Sequence, residues 1–459
     1  MSKSENSGLS RRELIKTTGQ VAAASVLAGV AIPQVYAGGG SMIQVALVGC
    51  GGRGTGAAAN ALSTRNGPIR LVAMADVFQN RLTSSHQNLQ RTHRALMDVP
   101  EARRFIGFDA YRRAMDSLRA GDIVILATPP AFRWPHFAYA IQRRLHVFME
   151  KPITVDGPST RRMLRLGEDA GRASLKVGVG LMCRHCPARG ELYTRIRQGE
   201  IGDLVLLRAY RQHGPVGFFS SGPRPQGISE LMYQIQRFHS FLWASGGAYS
   251  DFYIHNIDEA CWMKNAWPIS ARGSGGRHYR GNAIDQNFDS YSVEYTFADG
   301  ARFFLEGRTM EGCQTEFSTS VHGTRGSAIV STSGHSPARP RIFRGQNCSN
   351  RNNADVVWRF MGEEGNPYQH EWEHLLDAIR NNRPYNEVRR GAEASLVTAM
   401  GRMAAHTGQV ITRDQMLNCE HELAPNVDQL TMESEAPLRL GADGRYPVPR
   451  PGIETRREY

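Results

Sequence analysis
Ile43-Gln44-Val45-Ala46-Leu47-Val48-Gly49-Cys50-Gly51-Gly52-Arg53-Gly54 is an apolar run that ends in a glycine-rich turn, and an alanine-rich stretch of helical propensity, 55–62, follows it. Glycine suits this turn for three reasons: the chain bends sharply, a pyrophosphate must approach backbone N–H groups closely, and helix must pack on strand. A lone motif of this kind is weak, since glycine-rich turns are common. Here a strand precedes it, a helix follows it, and Asp76 ends a second apolar run 22 residues beyond Gly54. That spacing is close to the ~20 expected of a carboxylate that holds the adenosine ribose hydroxyls. The pattern predicts a dinucleotide site built from Gly49, Gly51, Gly52, Arg53, Gly54 and Asp76. A carboxylate at Asp76 repels a 2′-phosphate and favours NAD over NADP, with Arg53 and Arg81 weighing the other way.

Outward from this stretch, residues 42–165 alternate short β-branched runs (43–48, 70–75, 123–127, 146–149) with amphipathic helical stretches, as a doubly wound parallel sheet with crossover helices requires. The third of these runs enters Ala127-Thr128-Pro129-Pro130, with His136 downstream, and the fourth enters Glu150-Lys151-Pro152. Ligands of open parallel sheets bind outside the carboxyl ends of the strands, so Thr128, Pro129, His136, Glu150 and Lys151 are expected to line the cofactor cleft. A lysine there can hydrogen-bond a substrate hydroxyl and stabilise a developing alkoxide; taken alone, it also reads as a solvated surface lysine.

Past a helix around 159–170, residues 166–425 change character. Alternating segments at 204–210, 290–297 and 301–306, the last two joined by Ala298-Asp299-Gly300, predict an antiparallel hairpin. Helical patterns at 370–380 and 391–407 follow, and 426–459 reads as an extended, proline- and glycine-punctuated tail. Within this region lies Tyr249-Ser250-Asp251-Phe252-Tyr253-Ile254-His255-Asn256-Ile257-Asp258. On a helix, Asp251, His255 and Asp258 share one face, and Asp251 can orient the imidazole of His255 as a base that takes a hydroxyl proton. The same spacing also suits a helix start capped by Asp251 with His255 incidental. A metal reading lacks a third ligand, and none is assigned.

The formal charge of the 459-residue chain is +12, from 55 Lys+Arg against 43 Asp+Glu. Arginines are scattered in ones and twos, with no long basic run and no interleaved stacking aromatics, so nucleic acid is not expected as a partner. The seven cysteines are odd in number and imply no disulfide framework; Cys183 and Cys186 have half the spacing of a zinc knuckle without its other half. Residues 1–37 read as an address: Arg11-Arg12 before Leu14-Ile15-Lys16, an apolar run over 21–32, and Val35-Tyr36-Ala37 as a small-residue cleavage site. This resembles a twin-arginine export signal and implies export to the periplasm by that machinery. The apolar run of about a dozen residues is too short for a membrane anchor, which needs roughly 20. Twin-arginine export moves folded proteins, which suits a chain that loads its cofactor before leaving the cytoplasm and then holds it tightly.

Taken together, the Gly49–Gly54 turn, Thr128-Pro129-Pro130 with His136, Glu150-Lys151-Pro152, and Asp251 with His255 four residues on resemble the glucose-fructose oxidoreductase/inositol dehydrogenase/MocA (Gfo/Idh/MocA) family. The resemblance implies a Rossmann domain followed by an α+β domain whose open, mainly antiparallel sheet carries substrate and mediates homo-oligomers. It also implies a nicotinamide cofactor and a carbohydrate substrate oxidised at a hydroxyl. By motif, Lys151 is similar to the family's active-site lysine, His255 to its general acid/base and Asp251 to the acid beside it. Arg184, Tyr253 and Asp258 are further substrate-binding candidates, with His185 and His239 behind them. Some family members instead cleave glycosides by transient oxidation and elimination, which stands as the alternative activity.

Overall fold
The computed structural model describes residues 41–278, 280–332, 335–349 and 353–459. The twin-arginine stretch and its cleavage site lie outside the described residues. The described chain opens with β1 (Ile43–Val48), α1 (Gly52–Leu62), β2 (Ile69–Asp76), α2 (Gln79–His93), β3 (Arg104–Ile106), α3 (Ala110–Asp116), β4 (Ile123–Leu126), α4 (Arg133–Gln142), β5 (His146–Met149), α5 (Gly157–Arg172) and β6 (Val177–Val179). The strands form one parallel sheet in the order β3-β2-β1-β4-β5-β6, reversing direction of growth at β1, so the crevice between the loops after β1 and β4 is the binding position. All four residues of β4 are fully buried, as befits a central strand covered by helices on both faces. The expected boundary at 165 is corrected: β6 belongs to this sheet. Like β3, it has only three residues, too few to give a readable alternation.

The second region contains α6 (Pro187–Arg197), β7 (Leu204–His213), α7 (Glu230–Gln236), α8 (Leu242–Ser245), α9 (Gly247–Lys264), β8 (Ser270–Gly276), β9 (Ser290–Thr296), β10 (Arg302–Thr309), β11 (Glu316–Gly323), β12 (Ser327–Ser331), β13 (Arg341–Phe343), β14 (Val356–Arg359), α10 (Pro367–Arg380), α11 (Val388–Thr407), β15 (Ile411–Thr412) and α12 (Arg413–Asn418). Its nine strands run β14-β13-β12-β11-β7-β10-β9-β8-β15, antiparallel except where β7 lies beside β10. The expected hairpin is β9–β10, Arg302 opposite Thr296. Helices α9 and α11 pack on one face over a core that includes Leu207, Tyr249, Val293, Phe303 and Met400. α9 begins at Gly246-Gly247, both in the left-handed region (φ 76° and 69°), which lets the chain turn abruptly into a helix buried on nearly every side.

Two later segments cross back over the expected partition. α10 lays Trp372 on Phe148 of β5, ring centroids 4.6 Å apart, and joins the core of the first sheet. The tail is largely irregular, as expected, but it is packed: Leu438 and Tyr446 bury against Phe241 and Trp243. Glu458 enters the interior, accepting from Arg402 Nε and Nη2 at 2.8 Å each and meeting His406 Nδ1 at 2.8 Å.

Candidate active site
A cleft of about 660 Å³ lies at the carboxyl ends of β1, β2, β4 and β5, lined by Gly49 to Thr55, Asp76, Thr128, Pro129, His136, Glu150 and Lys151. Its floor depends on glycine. A Cβ on Gly54 would stand 1.9 Å from the Gly49 carbonyl oxygen, and one on Gly49, whose φ is 96°, 2.6 Å from the Ala127 backbone. Gly51 and Gly52 instead face open space, where a phosphate can reach the first N–H groups of α1. Asp76 is aimed by two backbone donors, Cys50 N at 2.6 Å and Phe78 N at 2.9 Å. Burial raises its pKa, and those N–H groups with the Arg81 charge hold the rise in check. An open phosphate cradle, a carboxylate at the far end of the second strand and a long cleft between them fit a dinucleotide. Four of the expected cofactor residues pair with one another. Arg53 donates through Nε to Glu150 at 2.8 Å and lies 4.6 Å over Tyr368. His136 meets Thr128 Oγ1 at 3.2 Å, and burial, with the nearby Arg133 charge, lowers its pKa to about 3, leaving it neutral.

Lys151 leaves β5 and crosses to α9, where its Nζ donates to the Asp251 carbonyl at 2.7 Å and stands 3.6 Å from Asp251 Oδ1. The other carboxylate oxygen, Oδ2, lies 3.0 Å from Nε2 of His239. His239 Nδ1 accepts from Phe218 N at 3.1 Å, which assigns its proton to Nε2, directed at Asp251. Burial alone would raise the Asp251 carboxyl, but the Lys151 ammonium and His239 hold it down to about 2. Lys151, Asp251 and His239 all line the cleft.

One helical turn on, His255 is buried with its ring 4.3 Å from that of His335, and its Nδ1 has no hydrogen-bond partner among the described residues. Burial, then the neighbouring His335 and the charges of Lys151 and Arg211 among others, drives its pKa well below the ordinary value, so it is neutral. The expected Asp251–His255 pairing is therefore corrected. The two do share α9, but Asp251 is drawn by charge to Lys151 and His239, while His255 faces His335.

The three further substrate candidates lie away from the cleft. Arg184 and Asp258 satisfy each other, Nε to Oδ2 at 3.0 Å and Nη2 to Oδ1 at 2.8 Å, with the guanidinium over Trp262. Tyr253 is buried among Tyr249 and Tyr291, its pKa pushed up to about 12 by burial. His185 meets His374 instead, at 2.8 Å between Nδ1 atoms. Cys183 and Cys186 are free, buried thiols. Sequence reasoning missed Arg133, which is fully buried and donates to the carbonyls of Leu126 and Thr128, and it missed His335 and Tyr368. No spacing links these last two to His255; only the fold brings them together.

Sequence models of two domains match the chain in order: an oxidoreductase family NAD-binding Rossmann fold over residues 43–180, and a GFO/IDH/MocA C-terminal domain over 191–329. An inositol 2-dehydrogenase of Corynebacterium glutamicum is 28% identical over 144 residues, 31% of this chain and 42% of that protein. The chain thus spans about two-fifths of the length of that relative. Among solved structures, an aldose-aldose oxidoreductase from Caulobacter crescentus, complexed with glycerol, superposes with a TM-score of 0.62 at 16% identity, covering 81% of this chain and all of that one. A scyllo-inositol dehydrogenase from Lactobacillus casei with bound NAD(H) and scyllo-inositol does so at 0.58 and 18%, covering 82% of this chain and all of that one. Nothing among these relatives supports the glycoside-cleaving alternative.

Proposed function
Because the chain belongs to the GFO/IDH/MocA oxidoreductase family, with an NAD-binding Rossmann domain, we propose that it is an NAD-dependent oxidoreductase acting on a hydroxyl of a sugar, polyol or glycoside. The observation that carries this reading is the Lys151–Asp251 pair at the mouth of the dinucleotide cleft, with neutral His255 one turn along the same helix. NAD, when bound, supplies the hydride acceptor. Lys151 donates a hydrogen bond to the reacting oxygen and stabilises the negative charge that grows on it. Neutral His255 is the protonation state that can take the hydroxyl proton, and Asp251 holds the lysine in place through its carbonyl and carboxylate. The inositol dehydrogenases among its relatives favour a polyhydroxylated substrate.

The reading extends to location and assembly. Arg11-Arg12, the apolar run and the small-residue site after Ala37 support twin-arginine export to the periplasm. Free nicotinamide nucleotide is scarce there, so the cofactor is expected to travel tightly bound. The face of the second sheet away from α9 and α11 supports a homo-oligomer built on that surface, to be checked by light scattering. Mass spectrometry of the small molecules released on denaturing protein from the periplasmic fraction tests cofactor and location together. NAD(H) in stoichiometric amount is expected; nucleotide-free protein that also fails to bind added NAD would overturn the assignment.

A further inference from the structure
Arg211 on β7 stands opposite Phe317 on β11, and its guanidinium lies 3.8 Å over that ring. The ring of Phe317 is 5.3 Å from that of His335, which in turn is 4.3 Å from His255 and meets the Tyr368 hydroxyl through Nδ1 at 3.0 Å. These side chains form an arc that starts at Arg211, passes His255 and ends at Tyr368, beneath Arg53 at the cleft. Three nitrogens along it, His255 Nδ1, His335 Nε2 and Arg211 Nε, are buried with no hydrogen-bond partner among the described residues. A buried polar atom left unpaired is unfavourable, so the arc is complementary to a polar ligand rather than to itself.

Its charge balance says which kind. The cations that act on His335 are Lys151, Arg211, Arg189 and Arg53. Lys151 is paired with Asp251, Arg189 with Glu259 and Arg53 with Glu150. Arg211 has no carboxylate partner among the described residues, and the groups that act on it are the neutral phenols of Tyr253 and Tyr368. Burial lowers its pKa to about 10, which still leaves it charged at neutral pH. The arc therefore carries one uncompensated positive charge beside the histidine assigned to the hydroxyl proton.

We propose that Arg211 and the arc it opens form an acid-binding subsite, and that the substrate is a sugar acid, a uronate or aldonate, rather than a neutral polyol. This inference rests on the hydride-transfer reading only for what happens after binding. The planar guanidinium fork matches a carboxylate, and one uncompensated charge matches its single negative charge better than the −1.5 to −2 of a phosphate monoester. Stacking on Phe317 fixes the guanidinium plane before the ligand arrives, so little side-chain freedom is lost on binding.

Isothermal titration of the NAD-loaded protein with D-glucuronate, D-galacturonate and D-gluconate, each against D-glucose or D-galactose, tests the subsite. At least one acid is expected to bind about tenfold or more tightly than its neutral counterpart, as a charge-assisted pair implies. Arg211→Gln should bring the two within about twofold while the protein keeps its NAD, and Arg211→Lys should restore part of the preference. Neutral sugars that bind as well as all three acids, a preference that survives in Arg211→Gln, or inorganic phosphate competing as tightly as the best acid would overturn the proposal. Acid binding that depends on Arg211 but yields no NADH would leave the subsite standing and remove the hydride-transfer reading instead.

Discussion
Lys151 is held by two oxygens of one residue, the carbonyl and the carboxylate of Asp251, so a single helix position both places the ammonium and balances its charge. Replacing it by methionine keeps the stem and deletes the donor. Lys151→Met is expected to lower kcat by about 10²–10³, the usual loss on removing one preorganised donor from a developing oxyanion, with NAD content unchanged; steady-state kinetics beside a nucleotide assay checks both. At the other end of the cleft, Asp76→Ser removes the charge that a 2′-phosphate would meet while Arg81 stays nearby. The ratio of NADP to NAD affinity should rise about tenfold or more, measured by competition titration. Asp76 was legible from motif position, because it ends a strand whose carboxyl edge is the binding edge; Lys151, two residues past β5, was placed at that edge as well, but its role came from the family resemblance. His239 was not legible, since nothing local to Phe238-His239-Ser240 indicates that it will donate to Asp251.

At the scale of elements, the β1–α1 turn is the most exacting. Gly54 packs α1 against the Gly49 carbonyl so closely that a methyl group has no room and the neighbour is backbone, which cannot swing aside. Gly54→Ala is expected to abolish NAD retention and to lower thermal stability, as seen by calorimetry of the purified variant; a variant that retains NAD at the parent level would refute this account of the turn. Strands β1, β2, β4 and β5 could be read as near-continuous apolar runs because parallel strands are buried on both faces. The three-residue β3 and β6 could not, because they are specified by the neighbours they pair with rather than by a pattern of their own. Asp251, His255 and Asp258 do lie on one helix, α9, the condition under which their spacing places them on one face. Each side chain then took a different partner, in His239, His335 and Arg184 respectively.

Across the whole molecule, the tail acts as a fastener. Arg402 also donates to the carbonyls of Gly246 and Val155, so the Glu458 carboxylate pins a residue that touches the start of α9 and the segment after β5, the two elements that carry Asp251 and Lys151. Glu458→Gln leaves a buried guanidinium without its counter-charge and should cost about 3–5 kcal/mol in chemical denaturation. The sign of the pH effect follows from the same pair: despite burial, Arg402 and His406 hold the Glu458 carboxyl below its usual range. Its contribution is present above the unfolded pKa of about 4.3 and is lost as pH falls through the depressed folded value. Asp251, held at about 2 against about 3.9 unfolded, adds about 2–3 kcal/mol with the same sign. Melting temperature should therefore fall on acidification below about pH 4, with a smaller loss in Glu458→Gln than in the parent. The fold class, the dinucleotide site and the candidate lysine, aspartate and histidine follow from residue order, because glycine turns, strand ends and helical spacing are local signals. The partners of those residues, the neutrality of His255 and the uncompensated charge of Arg211 do not. They depend on burial and on contacts between segments far apart in the chain, such as Lys151 with Asp251 and His255 with His335, which only the folded molecule creates.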